Sequence, residues 1–139
     1  METQGSERPD RAVAACETLT AEYRKAGARL QEPAVRKVIS SILAQKVEQT
    51  KSLRAAVVAG REPGPDTLFR PVEPLPESGG AAATLAAMAE RENAFAADLY
   101  ALSSLQTNEE LRVELKALAE ASRKCAGWAK DHLDLIALF

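Results

Sequence analysis

Apolar residues recur along this chain at intervals of three and four, the spacing that turns one side of an α-helix toward a core. Four stretches carry the rhythm. Ala12, Cys16, Leu19, Tyr23, Ala26 and Leu30 form the first, and Val35, Ile39, Ile42, Lys46, Gln49, Leu53 and Val57 the second. Met88, Glu92, Phe95, Leu99 and Leu102 form the third, and Leu111, Leu115, Leu118, Ser122, Cys125, Ala129 and Leu133 the fourth. Long alternating β-branched runs are absent, so the pattern predicts an all-α protein of four helices.

Punctuation between the stretches sets their limits. Pro9-Asp10 stands where a first helix can begin, leaving residues 1–9 as a disordered tail. That helix is expected to end near Gln31-Glu32, because Pro33 disfavours helical geometry in the residue before it and suits the first turn of the next helix. The second helix should stop near Gly60. Residues 61–80 hold five of the seven prolines and three of the seven glycines, a composition that fits neither a helix nor a central strand. A second helix of about 26 residues is roughly 39 Å long, and 18 extended residues reach about 55 to 60 Å. The segment is therefore long enough to cross the whole bundle, with Leu68, Phe69, Val72 and Leu75 lying against the helices and backbone amides that exchange fast over 63–76. A third helix follows Gly79-Gly80. A fourth follows Thr107-Asn108, with Glu109 and Glu110 in a first turn where negative charge suits the helix dipole. The expected architecture is one domain over residues 10–139: a four-helix bundle of two antiparallel hairpins joined by a long crossover at 61–80.

Composition narrows the function classes. Of 139 residues, 46% are hydrophobic and only 4% aromatic, which favours close-packed, alanine-rich helices. A net charge of −2 with both signs interspersed gives no basic face, and stacking platforms are scarce, so nucleic acid is not an expected partner. Two cysteines are too few for a disulfide framework and lack zinc-ligand spacing, which points to a reducing cytoplasm. The N-terminal METQGSERPDR has no apolar signal core and no window approaches membrane-spanning length, so no membrane association is expected.

The two halves of the chain repeat one another. Adding 76 to a stripe position of the first hairpin gives one of the second: Ala12 to Met88, Leu19 to Phe95, Val35 to Leu111, Ile39 to Leu115, Ile42 to Leu118, Val57 to Leu133. The polar residues on the stripes obey the same shift, Cys16 to Glu92, Lys46 to Ser122 and Gln49 to Cys125. All six lie 14 to 17 residues from the centre of their hairpin turn, so in a bundle they converge on one layer about 24 Å from the turns.

Two helix pairs, each with a motif position on its first helix and an i, i+3 pair on its second, joined by a long crossover, resemble the ferritin-like superfamily and in particular its rubrerythrin-type members. The resemblance covers roughly residues 10 to 136. In that family the first helix of each pair supplies a Glu, often with a Tyr seven residues later, and the second supplies Glu-x-x-His, together holding two irons. The matching positions are Cys16 with Tyr23 and Lys46-x-x-Gln49, then Glu92 with Leu99 and Ser122-x-x-Cys125. Glu92 alone matches a ligand. Tyr100 sits one residue beyond the tyrosine position and His132 two turns beyond Cys125, so neither repairs the motif.

The replacements argue against iron, since a di-iron site needs several carboxylates and imidazoles and Lys46 brings a positive charge instead. No metal or other cofactor is expected. Glu92 and Lys46 are read either as a buried ion pair filling the vacated site, with Gln49 and Ser122 completing its hydrogen bonds, or as stripe-edge side chains reaching out to water. Cys16 and Cys125 are read as small buried hydrophobes, with a disulfide or a soft-metal thiolate site as the alternatives. His132 is expected to be exposed, and Trp128 to pack at the bundle edge or a subunit interface. The favoured reading is a metal-free ferritin-like bundle, a homodimer serving as a structural or protein-interaction module. The alternatives are a metal-dependent oxidoreductase or metal-handling protein using Glu92 and Cys125, and an unrelated helical adaptor that binds amphipathic segments.

Overall fold

The computed structural model describes residues 10–138; the tail expected at 1–9, and Phe139, lie outside the described residues. Four helices follow in order: α1 Arg11–Arg29, α2 Pro33–Val58, α3 Gly80–Ser104 and α4 Glu109–Ala137. Helix α1 stops slightly earlier than its apolar rhythm implies, with Leu30 as its C-terminal cap and Pro33 opening α2. Asp10 caps α1 by accepting the Val13 N–H at 3.0 Å, and Asn108 caps α4 by accepting the Leu111 N–H at 3.1 Å.

The helices pair as two antiparallel hairpins, α1 with α2 and α3 with α4, and α2 packs along α4. Between α1 and α3 lies the crossover. Arg11 donates to the carbonyls of Asp66 and Leu68, Arg91 to those of Glu73 and Pro74, and Arg29 to that of Pro76. The strand of chain thus runs parallel to α1 and antiparallel to α3, which makes α1 and α3 antiparallel to each other. Phe69 and Leu75 are buried beneath it, and their amides donate to Asp98 Oδ2 and Glu22 Oε1, both at 3.0 Å. The expectation of fast exchange over 63–76 is amended at these two positions and at Leu68, whose amide donates to the Pro65 carbonyl at 3.1 Å. At its start, Gln106 exchanges two 2.9 Å bonds with the Glu62 backbone, and the Arg61 guanidinium, buried as a side chain, lies 2.7 Å from Asp10. At its end, Gly79 takes φ +90°, a left-handed conformation that ordinary side chains rarely adopt.

Of the pairs related by the 76-residue shift, Ala12 and Met88, Leu19 and Phe95, Val35 and Leu111, and Ile39 and Leu115 are buried at both positions, whereas Leu118 and Leu133, the counterparts of Ile42 and Val57, are only half-buried. Two expectations fail at the ends. Val57 is exposed, because the last turn of α2 turns Ala56, three residues after Leu53, into the core in its place. His132 is half-buried, set in a groove between α2 and α4 with Val38, Trp128 and Leu135.

Candidate functional site

All six polar-layer residues are buried in the core: Cys16 from α1, Lys46 and Gln49 from α2, Glu92 from α3, Ser122 and Cys125 from α4. They sit there because each occupies a helical phase otherwise filled by Leu, Ile or Val.

Lys46 Nζ donates to Glu92 Oε1 at 3.1 Å, with side-chain exposures of 0% and 1%. Of the two readings of these residues, the structure takes the ion pair. Glu92 Oε2 accepts the Tyr23 hydroxyl at 2.6 Å, so each carboxylate oxygen has its own donor. The ammonium also lies 4.1 Å from the centroid of the Phe95 ring, whose negative face adds a second source of stabilisation. Phe95 in turn meets Phe69 edge to face, with centroids 5.5 Å apart. Phe69 holds φ +55°, an unfavourable value for an aromatic residue, sustained by its amide bond to Asp98 and by this packing.

Gln49 and Ser122, expected to complete the hydrogen bonds of the ion pair, bond each other instead. Gln49 Nε2 donates to Ser122 Oγ at 2.7 Å and to the Leu118 carbonyl at 2.8 Å, tying α2 to α4. The third partner of the ion pair is instead Tyr23, which sequence matching placed near the layer without assigning it a bond. Phe95 has the spacing of a plain core residue, and its position one turn after Glu92 on the same stripe is the signal that places its ring beside the ion pair.

Cys16 Sγ lies 3.6 Å from the Lys46 carbonyl, 3.9 Å from Gln49 Oε1 and 3.3 Å from Thr50 Oγ1. Both cysteines are free thiols and buried. Burial pushes the Cys16 thiol above its ordinary value, and burial followed by the nearby Glu92 carboxylate pushes Cys125 up to about 12. Burial, then Glu92, also holds the Tyr23 phenol well above 10.0. At neutral pH the layer thus contains protonated thiols, a neutral phenol and one ion pair.

A pair of irons requires several carboxylates and imidazoles. These positions offer one carboxylate and no imidazole, and that carboxylate already holds an ammonium and a phenol, so the residues present do not fit a di-iron group. Among the described residues, no set of three His, Cys, Asp or Glu side chains comes together in a way that could hold a metal ion. The layer has no direct opening to solvent. A groove of about 420 Å³ lies outside it between the crossover and α3, where Phe95 forms part of the wall. No described helix is long and apolar enough to cross a membrane. Compared with family models, curated proteins and solved structures, the chain has no match.

Proposed function

We propose that this chain is a ferritin-like bundle of the rubrerythrin type whose centre works without metal, and that it serves as a structural or protein-interaction module, a homodimer in the cytoplasm. The observation that carries this reading is the Lys46–Glu92 pair at 3.1 Å. In the family it resembles, cations at this level balance several buried carboxylates. Here a covalently attached cation balances the one that remains, and Tyr23 satisfies its second oxygen. The one carboxylate of this centre already holds an ammonium and a phenol, which leaves no donor set for a pair of irons. Its role is to fix the register of the four helices through bonds that span α1, α2, α3 and α4.

Elemental analysis of the purified protein, after growth and reconstitution with both iron and manganese, tests this reading. The expected result is no stoichiometric metal and no absorption of an oxo-bridged iron pair. One tightly held di-iron centre per chain would favour the rival, a metal-dependent oxidoreductase or metal-handling protein, and overturn the proposal.

A further inference from the structure

Helix α4 carries a second line of apolar residues, of which only Trp128 packs against the core. Val113, Ala117, Ala121, Trp128, Leu135 and Leu138 are spaced by four, four, seven, seven and three residues. They lie about 140° around the helix from the buried stripe that contains Leu115 and Ser122, and extend over about 37 Å. Val113 is 59% exposed, Leu135 52% and Leu138 77%, and Trp128 is half-buried. Trp128 and Leu135 face Val38 of α2 across a groove of about 300 Å³. A surface helix normally has one apolar side; this one has two, and the second ends in its largest exposed side chains.

The charges beside this stripe say what covers it. Glu110, Glu114 and Glu120 accompany its first half. Lys124 stands within its second half, with its ammonium 5.6 Å from the centre of the Trp128 ring, and Lys37 borders the groove there together with Asp131. The first half is thus acidic and the second has a net positive charge. Laid antiparallel on an identical copy, acidic meets basic at both ends; laid parallel, like meets like. A twofold-symmetric pair needs a self-complementary patch of this kind.

We infer that the outer stripe of α4 is a homodimer interface in which two α4 helices pack antiparallel about the small residues Ala117 and Ala121. This rests on the homodimer reading above and names its surface. In that arrangement Trp128 lies beside Val113 of the partner subunit. Lys124 lies near Glu114 and Glu120 of the partner subunit. The short side chains at the centre let the helices approach closely.

Sedimentation equilibrium of the full chain across a range of concentrations, with circular dichroism as a control for folding, tests the assignment. Wild type should be a dimer. Ala117→Glu and Val113→Lys, both at exposed positions within the paired region, should each raise the dimer Kd by about tenfold or more while leaving helicity unchanged. Lys124→Glu and Glu114→Lys should each weaken self-association, and an equimolar mixture of the two should dimerise better than either alone, because opposite charges again face each other. A chain that stays monomeric throughout would overturn both the homodimer reading and this surface. A dimer whose Kd ignores these substitutions would leave the homodimer reading standing and overturn the α4 interface alone; so would a mixture that pairs no better than its components.

Discussion

The Lys46 ammonium and the Glu92 carboxylate meet at 3.1 Å in the middle of the bundle, each essentially sealed from water, one from α2 and the other from α3. Two charges removed from water are stable only when their geometry is good and their remaining bonding capacity is met. Tyr23 meets it on the acidic side and the Phe95 ring face on the basic side. The polar layer is therefore two separate networks at one height, the ion pair with its phenol and the Gln49–Ser122 link, with Cys16 bordering the second.

Tyr23→Phe tests the first network. It removes one donor and leaves a buried carboxylate oxygen without a partner, which costs about 1–3 kcal/mol. Ser122→Ala should cost less, about 1 kcal/mol, because Gln49 Nε2 keeps the Leu118 carbonyl. Urea unfolding of the two variants beside wild type gives the comparison, and an equal or reversed order would contradict the assigned bonds.

The thiols give a pH signature. Cys125 titrates from 9.0 in an unfolded chain to about 12 in the folded one. Between those values the unfolded chain releases the proton and the folded chain keeps it, so stability is fully present below about pH 9 and falls as pH rises toward 12. The slope is about 1.4 kcal/mol per pH unit for one such group. Tyr23 and Cys16 shift in the same direction and steepen the loss. Cys125→Ala should flatten the decline in unfolding free energy measured by denaturant titration from pH 8 to 11. The native protein at pH 8 should react with a disulfide reagent only as fast as it unfolds.

In the crossover, amide exchange followed by NMR should divide neighbouring residues. Phe69 and Leu75, whose N–H groups have carboxylate acceptors, should be protected, while Arg70, Glu73 and Glu77 exchange fast. Asp98→Ala should release Phe69 in particular, since that residue holds φ +55° with the help of the lost bond.

Helical phase made most of the architecture readable in advance. Prolines at 33 and 63–76 and glycines at 60 and 79 bounded the helices, and a 76-residue shift brought Cys16, Lys46, Gln49, Glu92, Ser122 and Cys125 to one level. What phase does not encode is which buried group reaches which. Lys46 and Gln49 are one turn apart on α2, yet one turns to α3 and the other to α4, so Gln49 and Ser122 bond each other instead of supporting the ion pair. Tyr23 has the same apolar spacing as Leu99, its counterpart in the second half, and nothing in that spacing distinguishes a phenol that packs from one that caps a carboxylate. Arg61 was hidden for a similar reason. A charged residue opening a proline-rich segment reads as solvated, but the crossover folds it under the start of α1 beside Asp10. At the far end of α2, a spacing of three or of four after Leu53 fits the stripe equally well, and the helix buries Ala56 and leaves Val57 exposed.

The central claim, that a buried lysine neutralises the Glu92 carboxylate at the heart of the bundle, is tested most directly by a double-mutant cycle on Lys46 and Glu92, read as unfolding free energies in urea. Lys46→Met leaves Glu92 buried without its ammonium and should destabilise by about 3–5 kcal/mol, and Glu92→Leu should likewise strand the lysine. The double variant, with an apolar pair in the same space, should recover much of the loss, giving a coupling energy of about 1–3 kcal/mol. Two single variants within about 0.5 kcal/mol of wild type whose effects simply add would mean that these side chains behave as surface residues, and would contradict the account.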